Sequence, residues 1–355
     1  MKILYLCADV GVPIRGHKGA SIHVRSLVNA FAKLGHQVTL VSPRLDPEDG
    51  PAPMARLLAA PYAAPSLQKP APAREQIAIE AAASVYRLAR DVWQRESFDF
   101  IYERYSLWSD AGARLAQSFH APLVVEVNAP LRVEAAQYRQ LFHHEQAAQV
   151  EARVFSQATA ISVVSSPLRD YVLRQGARAP HVHVLPNAVD EQIFHPGVSG
   201  EQTRLDLGLS DKFVIGFVGT AKPWHDLDTL MEAFARLRAS QKPVFSPTRQ
   251  SEILAGGENG FLRQTASRQG ALELLLVGKF PDSVRAAIAQ RGLADATTIV
   301  GPVSNAEVPA YIAAMDVAVS PHPALDAFYF SPLKLFEYMA CGVATVAANL
   351  PSIAE

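Results

Sequence analysis

Three short stretches of this chain combine glycines, cations and helix-starting residues in a way that suits the handling of an anion. The first is Gly16-His17-Lys18-Gly19-Ala20-Ser21-Ile22-His23, just after an apolar run. Its glycines let the backbone pass close to a bound group, and the helix that follows offers unpaired N–H donors. The spacing is not that of a G-x-G-x-x-G dinucleotide fingerprint, and a flexible turn is the plainer reading. His23 alone reads equally well as a packed helix residue. The second stretch is Gly219-Thr220-Ala221-Lys222-Pro223-Trp224-His225-Asp226. Lys222 can meet a phosphate as a point charge, and Asp226 or Asp228 can cap the next helix. A surface lysine and a packing tryptophan are the rival reading.

The third stretch runs Phe328-Tyr329-Phe330-Ser331-Pro332-Leu333-Lys334-Leu335-Phe336-Glu337-Tyr338-Met339-Ala340-Cys341-Gly342. Ser331 suits an N-cap, Pro332 the first helical position and Gly342 the end. Lys334 and Glu337, three apart, share one helix face near its start. A carboxylate there can accept two ribose hydroxyls while Lys334 and the exposed amides face a diphosphate. A simple (i, i+3) ion pair is the alternative.

Elements of alternating type position these stretches. Strands are expected at residues 2–7, 38–41, 100–102, 123–127, 160–164 and 181–185, with helices between them. Residues 42–72 read as a surface excursion, and 132–156 as a long amphipathic stretch. The alternation restarts with strands at 213–218, 272–277, 297–300, 317–320 and 344–347. This predicts an α/β chain of two doubly wound parallel-sheet domains, residues 1–196 and 197–355, with an insertion at about 239–271. Ligands of such sheets bind beyond the carboxyl ends of the strands. Glu103, Arg104 and Tyr105 follow one strand end, and Glu126 and Asn128 lie at another. Both groups are therefore candidates for an acceptor side in the first domain, with a surface pairing of Glu103 and Arg104 as the rival.

The totals narrow the function classes. Lys plus Arg number 33 against 34 Asp plus Glu, which argues against a broad nucleic-acid surface. Two cysteines, Cys7 and Cys341, are no disulfide framework and suit a reducing cytoplasm. No signal peptide or membrane-spanning run is visible. Arg15, Lys18 and Arg25 could touch anionic lipid at the inner face of a membrane.

Taken in order, several pieces resemble glycosyltransferase family 4, of the GT-B fold. They are residues 16–23, Leu185-Pro186-Asn187-Ala188-Val189-Asp190, Val218-Gly219 with Lys222-Pro223-Trp224-His225, Leu276-Val277-Gly278, Val300-Gly301, and Phe336-Glu337-Tyr338-Met339-Ala340-Cys341-Gly342. The resemblance implies two Rossmann-like domains facing a cleft and a retaining, metal-independent transfer of a sugar from a nucleotide-diphosphate donor. No cofactor beyond that co-substrate is implied. Glu337 matches the second glutamate of the family's E-x7-E motif and would hold the donor ribose. Lys222 and Thr220 lie in the loop of the family's diphosphate clamp. Ser331, Pro332, Leu333 and Lys334 would meet the diphosphate or sugar. Gly278, Val300, Gly301 and Val303 would flank the base, Gly19 would approach the donor phosphate, and His23 would line the cleft floor.

Departures from the pattern are specific. Tyr329 stands at the first motif glutamate. Thr220 and His225 fall where Arg and Lys are common. Glu126-Val127-Asn128-Ala129-Pro130 replaces a first-domain histidine. The resulting expectation is a glycosyltransferase with Lys222, Lys334 and Glu337 as its working residues. It would act on a saccharide or lipid-linked acceptor in cell-envelope or exopolysaccharide synthesis. A sugar-nucleotide epimerase of the same fold and an inactive sugar-nucleotide-binding protein are the alternatives. Relatives are expected to continue past residue 355, so a longer form is expected to be the more stable and more active one.

Overall fold

The computed structural model describes residues 1–48, 50–63, 70–240, 270–323 and 329–354. It divides into two compact units, Met1–Pro186 and Asn187–Glu355. The division falls ten residues before the expected one. Val189 and Phe194 explain the shift, because both pack on the core of the second unit.

The first unit contains β1 (Lys2–Cys7), α1 (Gly19–Lys33), β2 (Gln37–Ser42), β3 (Arg56–Ala59) and α2 (Ala71–Arg95). These are followed by β4 (Phe100–Arg104), α3 (Ala111–Phe119), β5 (Leu123–Val127), α4 (Leu131–Tyr138) and α5 (His144–Gln157). The unit closes with β6 (Ala160–Val163), α6 (Ser166–Arg174) and β7 (Val182–Val184). All its strands are parallel, in the order β3-β2-β1-β4-β5-β6-β7. Burial on both faces explains why β1 reads as an uninterrupted apolar run. The long amphipathic stretch over residues 132–156 forms two helices, α4 and α5. Gln140 adopts a left-handed φ of 62°, and Glu75 of α2 accepts the amides of Phe142 and His143 just before α5.

The second unit contains α7 (Glu201–Asp206), β8 (Phe213–Val218), α8 (Leu227–Ala239), β9 (Leu272–Val277), α9 (Asp282–Gln290) and β10 (Thr297–Val300). It continues with α10 (Val308–Ala313), β11 (Val317–Ser320), α11 (Leu333–Ala340), β12 (Ala344–Ala347) and α12 (Pro351–Ala354). Its parallel order is β10-β9-β8-β11-β12. Separate apolar clusters cover the two faces. Val214, Leu275, Ile312 and Tyr338 belong to one, and Phe217, Leu230, Phe234 and Leu276 to the other. A buried ion pair fixes α7 to the sheet. Arg204 donates to Asp316 at 2.6 Å, and Asp316 also accepts the Val214 amide at 2.7 Å.

In each sheet the chain runs outward from a central strand, first one way and then the other. The order reverses between β1 and β4 in the first unit and between β8 and β11 in the second. The carboxyl ends at such switch points are where loops diverge and leave a crevice. The expected insertion falls almost wholly at residues 241–269, outside the described residues, as does Phe328. Among the described residues no helix is long and apolar enough to cross a membrane.

Candidate functional site

At the switch point of the second unit, two strand ends meet through glycine. Gly278 has φ +136°, and a Cβ there would stand 2.2 Å from the Gly219 carbonyl oxygen. Only glycine permits that approach. Gly219 itself has φ +145°, and a Cβ added to it would lie 3.2 Å from Lys334 Nζ. The ammonium sits 4.1 Å from the Phe217 ring centroid, buried and without a hydrogen-bond partner among the described residues. Burial pulls the Lys334 ammonium down to about 7, with the Glu337 carboxylate opposing the shift. Burial likewise lifts Glu337 to about 7, with Lys334 opposing. The two share the first turns of α11, as their spacing predicts.

Local sequence explains how α11 is held there. Tyr338, one turn on from Lys334, is fully buried, and its hydroxyl accepts the Val218 amide at 2.8 Å. The helix is thereby anchored to the last residue of β8. Ser331 is not the N-cap expected of it. Pro332 occupies the cap without a side-chain bond, Leu333 opens the helix, and Ser331 is tied to Asn187 instead. The Asn187 amide donates to Ser331 Oγ at 3.0 Å, and Asn187 Nδ2 donates to the Ser331 carbonyl at 2.6 Å. Diverting that hydroxyl leaves the start of α11 uncapped beside a cation, an arrangement suited to an anion. Asn187 lies in a segment whose pattern is visible in sequence, but its partner is 144 residues away.

The loop after β8 supplies the second cation. Lys222 is exposed and stands at the start of a short 3-10 turn, Pro223–His225. His225 is no cation. Burial and the neighbouring Lys334 push its imidazole down to about 3, and its Nδ1–H donates to the Thr220 carbonyl at 2.8 Å. The exposed Thr220 thus uses its backbone to orient the histidine. Val300 and Val303 pack against the core, and the Val300 carbonyl accepts the Gly278 amide at 3.0 Å. Of that group, Gly301 is exposed.

A second polar cluster occupies the corresponding end of the first unit's sheet. Glu126 of β5 is bonded through Oε1 to His23 Nε2, and it accepts from Asn128 Nδ2 at 2.9 Å. Arg104 Nη1, from β4, lies 3.6 Å from the same oxygen. Burial alone would raise the Glu126 carboxyl, but His23, Arg104 and Asn128 together hold it at about 2. Glu126 Oε2, Arg104 Nη1 and the Tyr5 hydroxyl are buried without hydrogen-bond partners among the described residues.

Two residues expected in this cluster are absent from it. Glu103 is fully buried and serves the fold: its oxygens accept from Ser109 Oγ at 2.6 Å and the Gly112 amide at 3.0 Å. It does not pair with Arg104. Strand alternation is the reason, because neighbours on β4 face opposite sides of the sheet. Tyr105 is also buried, and its hydroxyl donates to Glu151 at 2.9 Å beside Tyr171 and Arg132. Gly19 opens α1, where a Cβ would meet nothing within 4 Å. The three cations considered for lipid contact donate to loop carbonyls: Arg15 to Glu48, Lys18 to Gly11, and Arg25 to Ile14 and Gly16.

Comparison with known proteins follows the two-unit division. Residues 18–188 match a family model described as Glycosyl transferase 4-like domain, and residues 212–355 match Glycosyl transferases group 1. A D-inositol 3-phosphate glycosyltransferase of Jonesia denitrificans is 28% identical over 261 residues, covering 71% of this chain and 56% of that protein. The putative teichuronic acid biosynthesis glycosyltransferase TuaH of Bacillus subtilis is 26% identical over 211 residues, covering 58% and 44%. The chain thus spans about half the length of the curated relatives it matches.

Two solved structures share the fold. Sucrose-phosphate synthase from Thermosynechococcus elongatus superposes with a TM-score of 0.70 at 20% identity, over 99% of this chain and 82% of that one. Anabaena HepE, solved in complex with UDP and glucose, gives 0.65 at 19% identity over 100% and 82%. With both units matched in sequence order and both sheets of the matching kind, the chain belongs to the GT-B glycosyltransferases of the group 1 and family 4 type.

Proposed function

We propose that the chain transfers a sugar from a nucleoside-diphosphate sugar to a saccharide or lipid-linked acceptor, with retention and without a metal. The observation that carries this reading is Lys334. Among the described residues its ammonium is buried and without a hydrogen-bond partner, 4.1 Å over Phe217 and beside a start of α11 that carries no side-chain cap. A buried charge is costly unless an opposite charge meets it, so the site is built for an anion.

In the reaction the bond between the sugar C1 and the β-phosphate oxygen breaks, leaving its electrons on the diphosphate. A bond forms between C1 and the acceptor oxygen, and the acceptor hydroxyl gives up its proton to the departing diphosphate oxygen. Lys334, Lys222 and the first amides of α11 would take the charge growing on the leaving group, the largest contribution such a site can make. Glu337 would accept the ribose hydroxyls. The Glu126 cluster would receive the acceptor, with His23, Asn128 and Arg104 positioned by the carboxylate.

HepE was solved with UDP and with UDP-glucose, which supports a sugar-nucleotide donor for this chain. The names of the inositol-phosphate and teichuronic-acid relatives support a polar acceptor and an envelope role. Incubation with labelled UDP-glucose or ADP-glucose, with and without a glycan or lipid-linked acceptor mixture, tests the reading. Label appearing in the acceptor is the expected result. Isomerised donor without transfer would favour an epimerase, and unaltered bound donor an inactive binding protein.

A further inference from the structure

Beside the two lysines stands an aromatic ledge that the catalytic reading leaves unused. The Trp224 ring stacks on Phe330 with centroids 6.0 Å apart and planes 18° from parallel. Tyr329 abuts Phe330 at 4.4 Å, extending the ledge by a third ring. Trp224 remains 38% exposed, an unusual cost for the largest apolar side chain on a short turn. Its position is well fixed despite that exposure. The Trp224 carbonyl accepts from His322 Nδ1 at 2.7 Å, and the ring lies 6.2 Å from the neutral His225. Lys222 Nζ lies over the Trp224 ring, 5.9 Å from its centroid.

The order of groups in a sugar nucleotide decides what can reach this surface. Base, ribose, diphosphate and sugar follow one another in a line. If the ribose is held at Glu337 and the diphosphate between Lys334 and Lys222, the group next to Lys222 on the far side of the phosphates is the sugar. Along the chain the ledge residues Tyr329 and Phe330 precede the start of α11, whereas Glu337 lies one turn into it. An aromatic face offers no charged acceptor for hydroxyls. It offers apolar area and a negative quadrupole, which the weakly positive C–H bonds of one pyranose face complement.

We propose that Trp224, backed by Phe330, is the platform on which the donor's pyranose ring lies, selecting a neutral hexose that presents an uninterrupted C–H face. The assignment rests on the donor-site reading above and adds to it the means by which the sugar is recognised. It makes Trp224 a specificity residue whose contribution appears only when the sugar is present.

That condition separates the two ideas experimentally. Dissociation constants for UDP, UDP-glucose, ADP and ADP-glucose are measured by calorimetry on the wild-type chain, Trp224→Ala and Trp224→Phe. The expected result is that Trp224→Ala binds the free diphosphate of the preferred base as the wild type does. Its affinity for the corresponding sugar nucleotide falls by about tenfold, roughly one ring's stacking contribution. Trp224→Phe retains most of the sugar-dependent affinity. Equal losses for diphosphate and sugar nucleotide would make Trp224 a packing residue of the lysine loop and overturn the proposal, as would no loss for either. A wild-type chain that binds none of the four ligands would instead sink the donor-site reading itself, and the platform with it.

Discussion

The two units each bury a charge at the carboxyl end of a parallel sheet, and they treat it in opposite ways. Glu126 in the first unit gathers His23, Asn128 and Arg104 around one carboxylate oxygen and is held at about 2. Lys334 in the second has the Phe217 ring and the Glu337 carboxylate for company, and burial drags it down to about 7. Oε1 of Glu126 finds its partners within the unit, although Glu126 Oε2 and Arg104 Nη1 keep no hydrogen-bond partner among the described residues. Lys334 Nζ has no hydrogen-bond partner there at all. The difference teaches that burial by itself does not single out a candidate ligand site, and that the pairing of the central charge has to be weighed beside it. It also separates Glu126 from Glu103, a carboxylate next door in the sheet whose bonds to Ser109 and Gly112 make it part of the scaffold.

Removing the central charge of each cluster should therefore move stability in opposite directions. Glu126→Ala leaves Arg104 and His23 without their counter-charge, and we expect a loss of about 3–5 kcal/mol in chemical denaturation, the usual cost of breaking a buried pair. A loss below about 1 kcal/mol would mean that solvent already screens the cluster. Lys334→Met keeps the volume and removes the uncompensated charge. The expected gain is about 1–3 kcal/mol in the ligand-free protein, together with lost donor binding. A destabilised variant would show that the ammonium has an internal partner.

Glu337 sharpens the comparison from the ligand side. Glu337→Ala should weaken sugar-nucleotide binding by about 1–3 kcal/mol, and Glu337→Gln by less, because an amide still accepts from one hydroxyl. Unchanged affinity in the alanine variant would remove the ribose from this residue.

The same pair also sets a pH dependence. A lysine lowered from 10.5 to about 7 binds fewer protons folded than unfolded between those values, so on its account stability rises with pH across that window. A carboxyl raised from 4.5 to about 7 binds more protons folded, so on its account stability falls with pH between 4.5 and 7. Unfolding curves of the wild type minus those of Lys334→Met should climb above pH 7. Those of the wild type minus Glu337→Gln should decline up to it. Flat differences would mean that neither group is desolvated.

Much of this is legible in the sequence. The strands of both sheets announce themselves as buried apolar runs, and Lys334 with Glu337 is a local, i to i+3 relation that sequence spacing conveys. What escaped depends on distant partners. The strand β3 is four residues in a proline-rich stretch and gains its identity from pairing with β2. The break after Tyr138 follows from Glu75, which caps α5 from another helix. Ser331 looks like an N-cap and becomes a latch because Asn187 reaches it from 144 residues away. Glu103 and Tyr105 sit at a strand end as a ligand residue would, yet Ser109 and Glu151 claim them.

Proton exchange on donor binding tests the central claim most directly. A sugar nucleotide carries no phosphate that titrates near neutrality, so any proton taken up at pH 8 must come to the protein. Calorimetric titrations of UDP-glucose and ADP-glucose in buffers of differing ionisation enthalpy report that number. Lys334, lowered to about 7 in the free chain, is mostly uncharged at pH 8, and a diphosphate beside it restores the ammonium. The account predicts uptake approaching one proton by the wild type. Binding without proton uptake, or the same uptake by Lys334→Met with undiminished affinity, would contradict it.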